Sequence, residues 1–489
     1  MITRRGLIAG SAFAASSSLF TGHRSVAEVP RFEAELPIPA LVDARAQGNA
    51  VALTASRSTH PFLANRPAAT YGYSSRILGP AIRLRRGDEI EIAVENKLDR
   101  GTTVHWHGLI IPSDQDGAPH DNIAPGKVWR SHLKIDQPET TAWFHPHPYR
   151  DTARQVYFGL AGLLLIDDGT SERLDLPRTY GVDDLPVIIQ DRSFDPSGEL
   201  VYDSSPMAVM QGARGDDILV NAAIAPVARV PAGLVRLRIL NGANARNFDL
   251  SFADKRTFHV IASDGGYLAA PIALTRIWIS PGERFELLVD FSDGRAVVLG
   301  TGTDAFTPMT MGMMGGGVSG AGAVMKFVPD RTKAASKASI RSRLVELAAP
   351  NRSTATRRRR FVLNDHMMGG MGMMGGGARG IPLAINGEPF DMERINVETK
   401  LGTTELWEIV SGMMAHPFHV HGVQFRVLSI DGRIPPPHLQ GWKDTVLVPR
   451  AAEILVQFTQ PATREHPFMY HCHILEHEDA GMMGQYVSS

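Results

Sequence analysis

Glu89-Ile90-Glu91-Ile92-Ala93-Val94-Glu95-Asn96 alternates polar and apolar side chains. Alternation of this kind marks a half-buried strand, because successive side chains leave opposite faces of a pleated sheet. The stretch is introduced by Ile82-Arg83-Leu84-Arg85-Arg86-Gly87-Asp88 and followed by Thr102-Thr103-Val104-His105. The same rhythm returns twice. Val235-Arg236-Leu237-Arg238-Ile239-Leu240-Asn241 runs on to Phe248-Asp249-Leu250, a copy without histidines, and Thr404-Glu405-Leu406-Trp407-Glu408-Ile409-Val410 runs on to His416-Pro417-Phe418-His419. Three copies of one strand cluster predict three related β-sandwich domains.

The expected domains cover residues 28–170, 171–330 and 361–489. Gly162-Leu163-Leu164-Leu165-Ile166 reads as a buried strand closing the first domain, ended by Asp167-Asp168-Gly169. Residues 331–360 are polar and basic, from Arg331-Thr332-Lys333 to Arg357-Arg358-Arg359-Arg360, and read as a solvated linker in preference to a binding patch. Gly (47) and Pro (32) are abundant and long amphipathic patterns scarce, which favours short strands and turns. A formal net charge of -1 offers no electrostatic case for nucleic acid. Beyond the N-terminus no stretch approaches the ~20 apolar residues that cross a bilayer. No stable membrane insertion is therefore expected, and the chain is taken to be a monomer.

At the N-terminus Arg4-Arg5, with Leu7 and Ile8, precede an apolar, small-residue run from Gly6 to Phe20, and Ser25-Val26-Ala27 offers a cleavage site. Residues 1–27 are expected to be a twin-arginine-type export signal, which implies the periplasm; a general secretory signal is the alternative.

Ten of the 18 histidines fall in four clusters. These are His105-Trp106-His107-Gly108, His145-Pro146-His147, His416-Pro417-Phe418-His419-Val420-His421-Gly422 and His471-Cys472-His473-Ile474-Leu475-Glu476-His477. On a strand each His-x-His presents both imidazoles on one face, and imidazole suits copper as well as zinc. Cys472 is the sole cysteine. A lone thiol can be a small buried hydrophobe, but flanked by His471 and His473 it should point away from them and ligate a different metal. His416, Cys472, His477 and a weak axial Met482 make the donor set of a blue-copper electron-transfer site. Zinc would need a closed four-ligand site or three ligands with an open position.

These four motifs, in this order over nearly the whole mature chain, closely resemble those of the multicopper oxidases. The resemblance implies an all-β chain of three cupredoxin-like Greek-key β-sandwich domains holding four copper ions. It assigns His416, Cys472 and His477 to a type 1 copper, with Met482 axial. It assigns His105 and His419 to type 2 copper, and His107, His145, His147, His421, His471 and His473 to the paired type 3 coppers. The three-copper cluster should lie between the first and third domains, with the middle one as spacer. The implied reaction couples one-electron oxidation of a reductant to four-electron reduction of dioxygen to water. Asp116 and Glu478 match the family's acidic positions near the cluster and are candidate proton relays; the plainer reading makes them structural carboxylates.

Two low-complexity stretches, Met309–Gly317 and Met367–Gly377, are rich in Met and Gly. Thioether sulfur favours Cu(I) over hard ions. The second stretch resembles the Met-rich segment of bacterial copper-tolerance oxidases, which makes Cu(I) the expected reductant. Asp365, His366, Met367, Met368 and Met414 are candidate substrate-copper ligands. Gly412 departs from the family pattern, which often has a carboxylate there, and incidental methionines in a loop are the alternative. A laccase-like oxidase of phenols or other small organic reductants is the second reading. A copper-sequestering protein is the third, and the complete donor set argues against it.

Overall fold

The computed structural model describes residues 32–63, 66–306, 320–364, 383–412 and 414–489. The expected export signal, both Met-Gly stretches and Asp365, His366, Met367 and Met368 lie outside the described residues. Six sheets pack as three face-to-face pairs, each pair around its own apolar core.

The threefold repeat is visible in the strand pairing. In the first sandwich β1 (Ala50–Leu63) runs parallel to β2 (Glu89–Asn96), which pairs antiparallel with β3 (Val128–Lys134). The second repeats this with β4 (Asp184–Arg192), β5 (Leu234–Asn241) and β6 (Arg284–Asp290). In the third, β7 (Ala355–Asn364) runs parallel to β8 (Thr404–Ser411), which pairs antiparallel with a later strand, Ala451–Gln457. The quoted stretches β2, β5 and β8 thus hold one topological position.

Half-burial describes β2, where Ile90, Ile92 and Val94 enter a core shared with Trp106 and Phe144. It fails for β5, whose eight residues are all buried. Its polar face is covered by the first sandwich. Arg236 pairs with Glu286 and Glu139, and Arg238 bonds Asp184 at 2.7 Å and Thr141 at 2.9 Å. Paired charge, not solvent, satisfies that face.

The linker reading also needs correction at its end. Arg357 to Arg360 lie within β7, where Arg358 pairs with Glu453 and Arg359 with Glu405. A strand edge with acidic neighbours on the same sheet accommodates the basic run without a partner molecule. Among the described residues no helix is long and apolar enough to cross a membrane.

Candidate metal centre

Two antiparallel crossings build the site. In the first sandwich His105 bridges His145, with N–H···O bonds of 2.8 and 3.2 Å in the two directions. In the third, β9 (His416–Val420) lies between β10 (Thr445–Val448) and β11 (Phe468–Cys472), and His419 faces His471 in register. Each crossing therefore sets one His-x-His against another. The intervening residues turn the opposite way: Trp106 and Cys472 enter the cores of their own sandwiches.

The two crossings meet through their rings. His105 stacks on His421 and His107 on His419, each with centroids 3.7 Å apart. Eight imidazoles then gather as His107, His145 and His473; His147, His421 and His471; and His105 and His419 beside His107. Every one is buried. The structure thus divides the six histidines expected for the paired sites into two triads, each drawn from both outer sandwiches.

Burial pushes His107, His145, His419, His421 and His471 well below the ordinary imidazole range, and His147 and His473 down to about 3. Neutral imidazole is the form that binds metal. Among the described residues Nε2 of His105, His145 and His419, Nδ1 of His107 and both nitrogens of His473 are buried without a hydrogen-bond partner. So many bare buried nitrogens would each cost about 1–3 kcal/mol. Metal ions among them remove that cost, so the residues fit a multinuclear copper cluster.

A second cluster lies on the other face of the tripeptide. His416 Nδ1 is 3.3 Å from Cys472 Sγ and 3.3 Å from His477 Nδ1, which is 3.7 Å from the sulfur. A point equidistant from these three atoms is about 2 Å from each, the length of a metal–imidazole bond. His477 is carried on a short helix, Leu475–Asp479, and the Ile474 amide donates to Cys472 Sγ at 3.4 Å. Met482 is fully buried in the same core. Its backbone accepts from Cys472 N at 3.1 Å and donates to His477 O at 2.9 Å, which fixes it beside both ligands. Together the two clusters fit four copper ions.

The two candidate acids converge on one triad. Asp116 Oδ2 is 2.7 Å from His421 Nδ1, and Glu478 lies 3.2 Å from His471 and 3.4 Å from His147. Burial, reinforced by Asp479, raises the Glu478 carboxyl well above its ordinary range. Met414 is buried two residues before His416.

The middle sandwich is more than a spacer. Arg284 on β6 grips Asp444 at 2.7 and 2.6 Å, and Asp444 in turn lies 3.0 Å from His107 Nε2. The sequence reading missed this pair, although Lys443-Asp444 just before β10 was a visible charged interruption between apolar runs. It also missed Met207 and Met210, placed on a short helix, Pro206–Gln211, which Ser205 caps from its side chain. Their three-residue spacing and the Ser-Pro start were the available signal.

Three sequence profiles described as multicopper oxidase match residues 54–171, 200–297 and 356–489. The chain belongs to the multicopper oxidase family and is an oxygen-dependent oxidoreductase. Multicopper oxidase mco of Staphylococcus haemolyticus is 36% identical over 465 residues, covering 92% of each chain. Cell division protein FtsP of Xenorhabdus nematophila is 35% identical over 470 residues, 93% of this chain and 92% of that one. The solved structure of CueO, a laccase-like multi-copper oxidase from the lignin-degrading bacterium Ochrobactrum sp., superposes with a TM-score of 0.86 at 44% identity, over 93% of this chain and 100% of that chain.

Proposed function

We propose that this oxidase takes its electrons from Cu(I) in the periplasm and so contributes to copper tolerance. Four Cu(I), one dioxygen and four protons yield four Cu(II) and two waters. Copper held by His416, Cys472 and His477 supplies a one-electron acceptor, and copper held by the eight cluster imidazoles supplies the multi-electron store dioxygen needs. Cys472 joins the two through the backbone to His471 and His473. Asp116, beside His421, and Glu478, beside His471 and His147, are the candidate proton relays at the cluster.

One observation carries the choice of reductant. The outer nitrogen of His477 donates to the Met210 carbonyl at 3.0 Å, so the helix bearing Met207 and Met210 covers this imidazole. Met207 is 50% exposed. A soft thioether at the surface of the helix that closes the electron-accepting site suits Cu(I). The Met-rich sequence at 367–374 is a second source of thioethers.

A laccase-like reading has its own support. A cleft of about 690 Å³ is lined by Trp278, Phe306, Arg433 and Arg450, with Leu447 and Pro449 on either side of Val448, the register partner of His416. Its aromatic walls can stack on a phenol ring, and its guanidinium groups can lie over that ring's face. The Ochrobactrum enzyme is described as active toward lignin model compounds and lignosulfonate.

Kinetics with Cu(I) and with a bulky phenol decide between the two. Met207→Leu with Met210→Leu conserves volume, and this variant and a deletion of residues 367–374 should each slow Cu(I) oxidation and spare phenol turnover. Unchanged Cu(I) kinetics in both variants would remove the support for a cuprous oxidase.

A further inference from the structure

His107 is turned differently from its neighbours. His105, His145, His419, His421 and His471 each give Nδ1 to a protein oxygen: Asp116 O, Pro146 O, Asp444 O, Asp116 Oδ2 and Cys472 O respectively. In His107 the assignment is reversed. Nε2 meets Asp444 Oδ1 at 3.0 Å and Thr445 Oγ1 at 3.3 Å, and Nδ1 is the bare nitrogen. A neutral imidazole has one N–H, and the oxygen that accepts it decides which nitrogen remains for metal.

Asp444 is the accepting oxygen, and Arg284 holds Asp444. Both Nη atoms bond the carboxylate, at 2.7 and 2.6 Å. The remaining donors are also used: Nε bonds Thr141 O at 3.1 Å, Nη1 bonds Gly282 O and Nη2 bonds Asp264 O, both at 3.0 Å. All three sandwiches contribute to this one guanidinium's surroundings. Gly108, next to His107, has φ +91°, and a Cβ there would lie 2.5 Å from Arg284 Nη2, so the close approach requires glycine. Asp444 also reaches His419, its backbone oxygen accepting from Nδ1 at 2.8 Å.

We propose that Arg284, on the middle sandwich, is a positioning residue for the three-copper cluster: through Asp444 it fixes His107 with Nδ1, and His419 with Nε2, toward the metals. The proposal rests on the cluster holding copper, and not on the identity of the reductant. A bidentate, fully buried Arg–carboxylate pair is rigid in a way that a lysine or amide cannot reproduce.

The test is a chelator competition on copper-loaded protein, followed by copper count and by the separate electron-paramagnetic signals of the type 1 and type 2 ions. Arg284→Gln should release cluster copper about 10- to 100-fold more readily, change the type 2 signal and leave the type 1 signal as in the wild type. Asp444→Asn should do the same, and the double variant should be no worse than either single one. Should Arg284→Gln fail to fold, Arg284→Lys keeps the charge but not the fork, and a changed type 2 signal at full copper loading is expected. A wild-type type 2 signal and wild-type retention in the folded variant would overturn the proposal. Wild-type protein that takes up no cluster copper would instead overturn the copper reading on which it rests.

Discussion

Glu478 stands 3.2 Å from Nδ1 of His471, one residue beyond the ligand His477 on the same short helix. A single turn of helix thus places one imidazole at the electron-accepting site and one carboxyl beneath the cluster that reduces dioxygen. Because Glu478 is buried and its proton is held tightly, it is suited to carry a proton to that cluster. Glu478→Gln should keep full copper content and lower kcat by about 100-fold. Steady-state oxygen consumption with a parallel copper assay checks this. Loss of copper in the variant would make the carboxylate a structural support.

Gly282 lies against the ring of His473. A Cβ at this position would sit 2.8 Å from His473 Cδ2, and the backbone has φ +83°, so both contact and conformation demand glycine. Gly282→Ala should destabilise even the copper-free protein, by about 1–3 kcal/mol, and loosen copper at the His107, His145 and His473 triad. Denaturant titration of the apoprotein measures the first effect. An unchanged midpoint would mean that His473 yields freely and that the middle sandwich does not constrain it.

Asp43 and Arg85 pair through both carboxylate oxygens, at 2.7 and 2.6 Å. The Arg85 hydrogen bonds hold the Asp43 carboxyl down to about 2, against 3.8 in the unfolded chain. The folded state therefore binds this proton less readily, and the stabilisation is present above the unfolded value and lost as pH falls through about 2. The pair is partly solvated, so its worth is at most ~1 kcal/mol. Asp43→Asn should lower the unfolding midpoint at neutral pH, with the gap closing on acidification. A gap that widens in acid would contradict this assignment.

Much of this was legible in the sequence because it depends on short periods. The alternation in β2 and the i, i+2 spacing of His105 and His107 each need only a few residues to state, and the strand geometry follows. The division of six histidines into two triads was not legible. It depends on which crossing faces which, and the stacks of His105 on His421 and His107 on His419 join residues more than 300 positions apart. The buried face of β5 was missed for a related reason: Arg236 and Arg238 look solvent-facing until Glu139 and Thr141 of another sandwich arrive as partners. The role of Arg284 was hidden in the same way. Long-range pairing of polar groups leaves no periodic trace.

The link that Cys472 makes between a single copper and the cluster is tested by copper count and electron balance on wild-type protein and Cys472→Ser. The wild type should hold four copper ions per chain and consume four reducing equivalents per dioxygen without releasing peroxide. Cys472→Ser should lose the type 1 copper, keep the cluster's copper, and oxidise external reductant slower by orders of magnitude. Wild-type turnover in Cys472→Ser would contradict the account, because electrons would then reach the cluster by a route that does not pass through this thiolate.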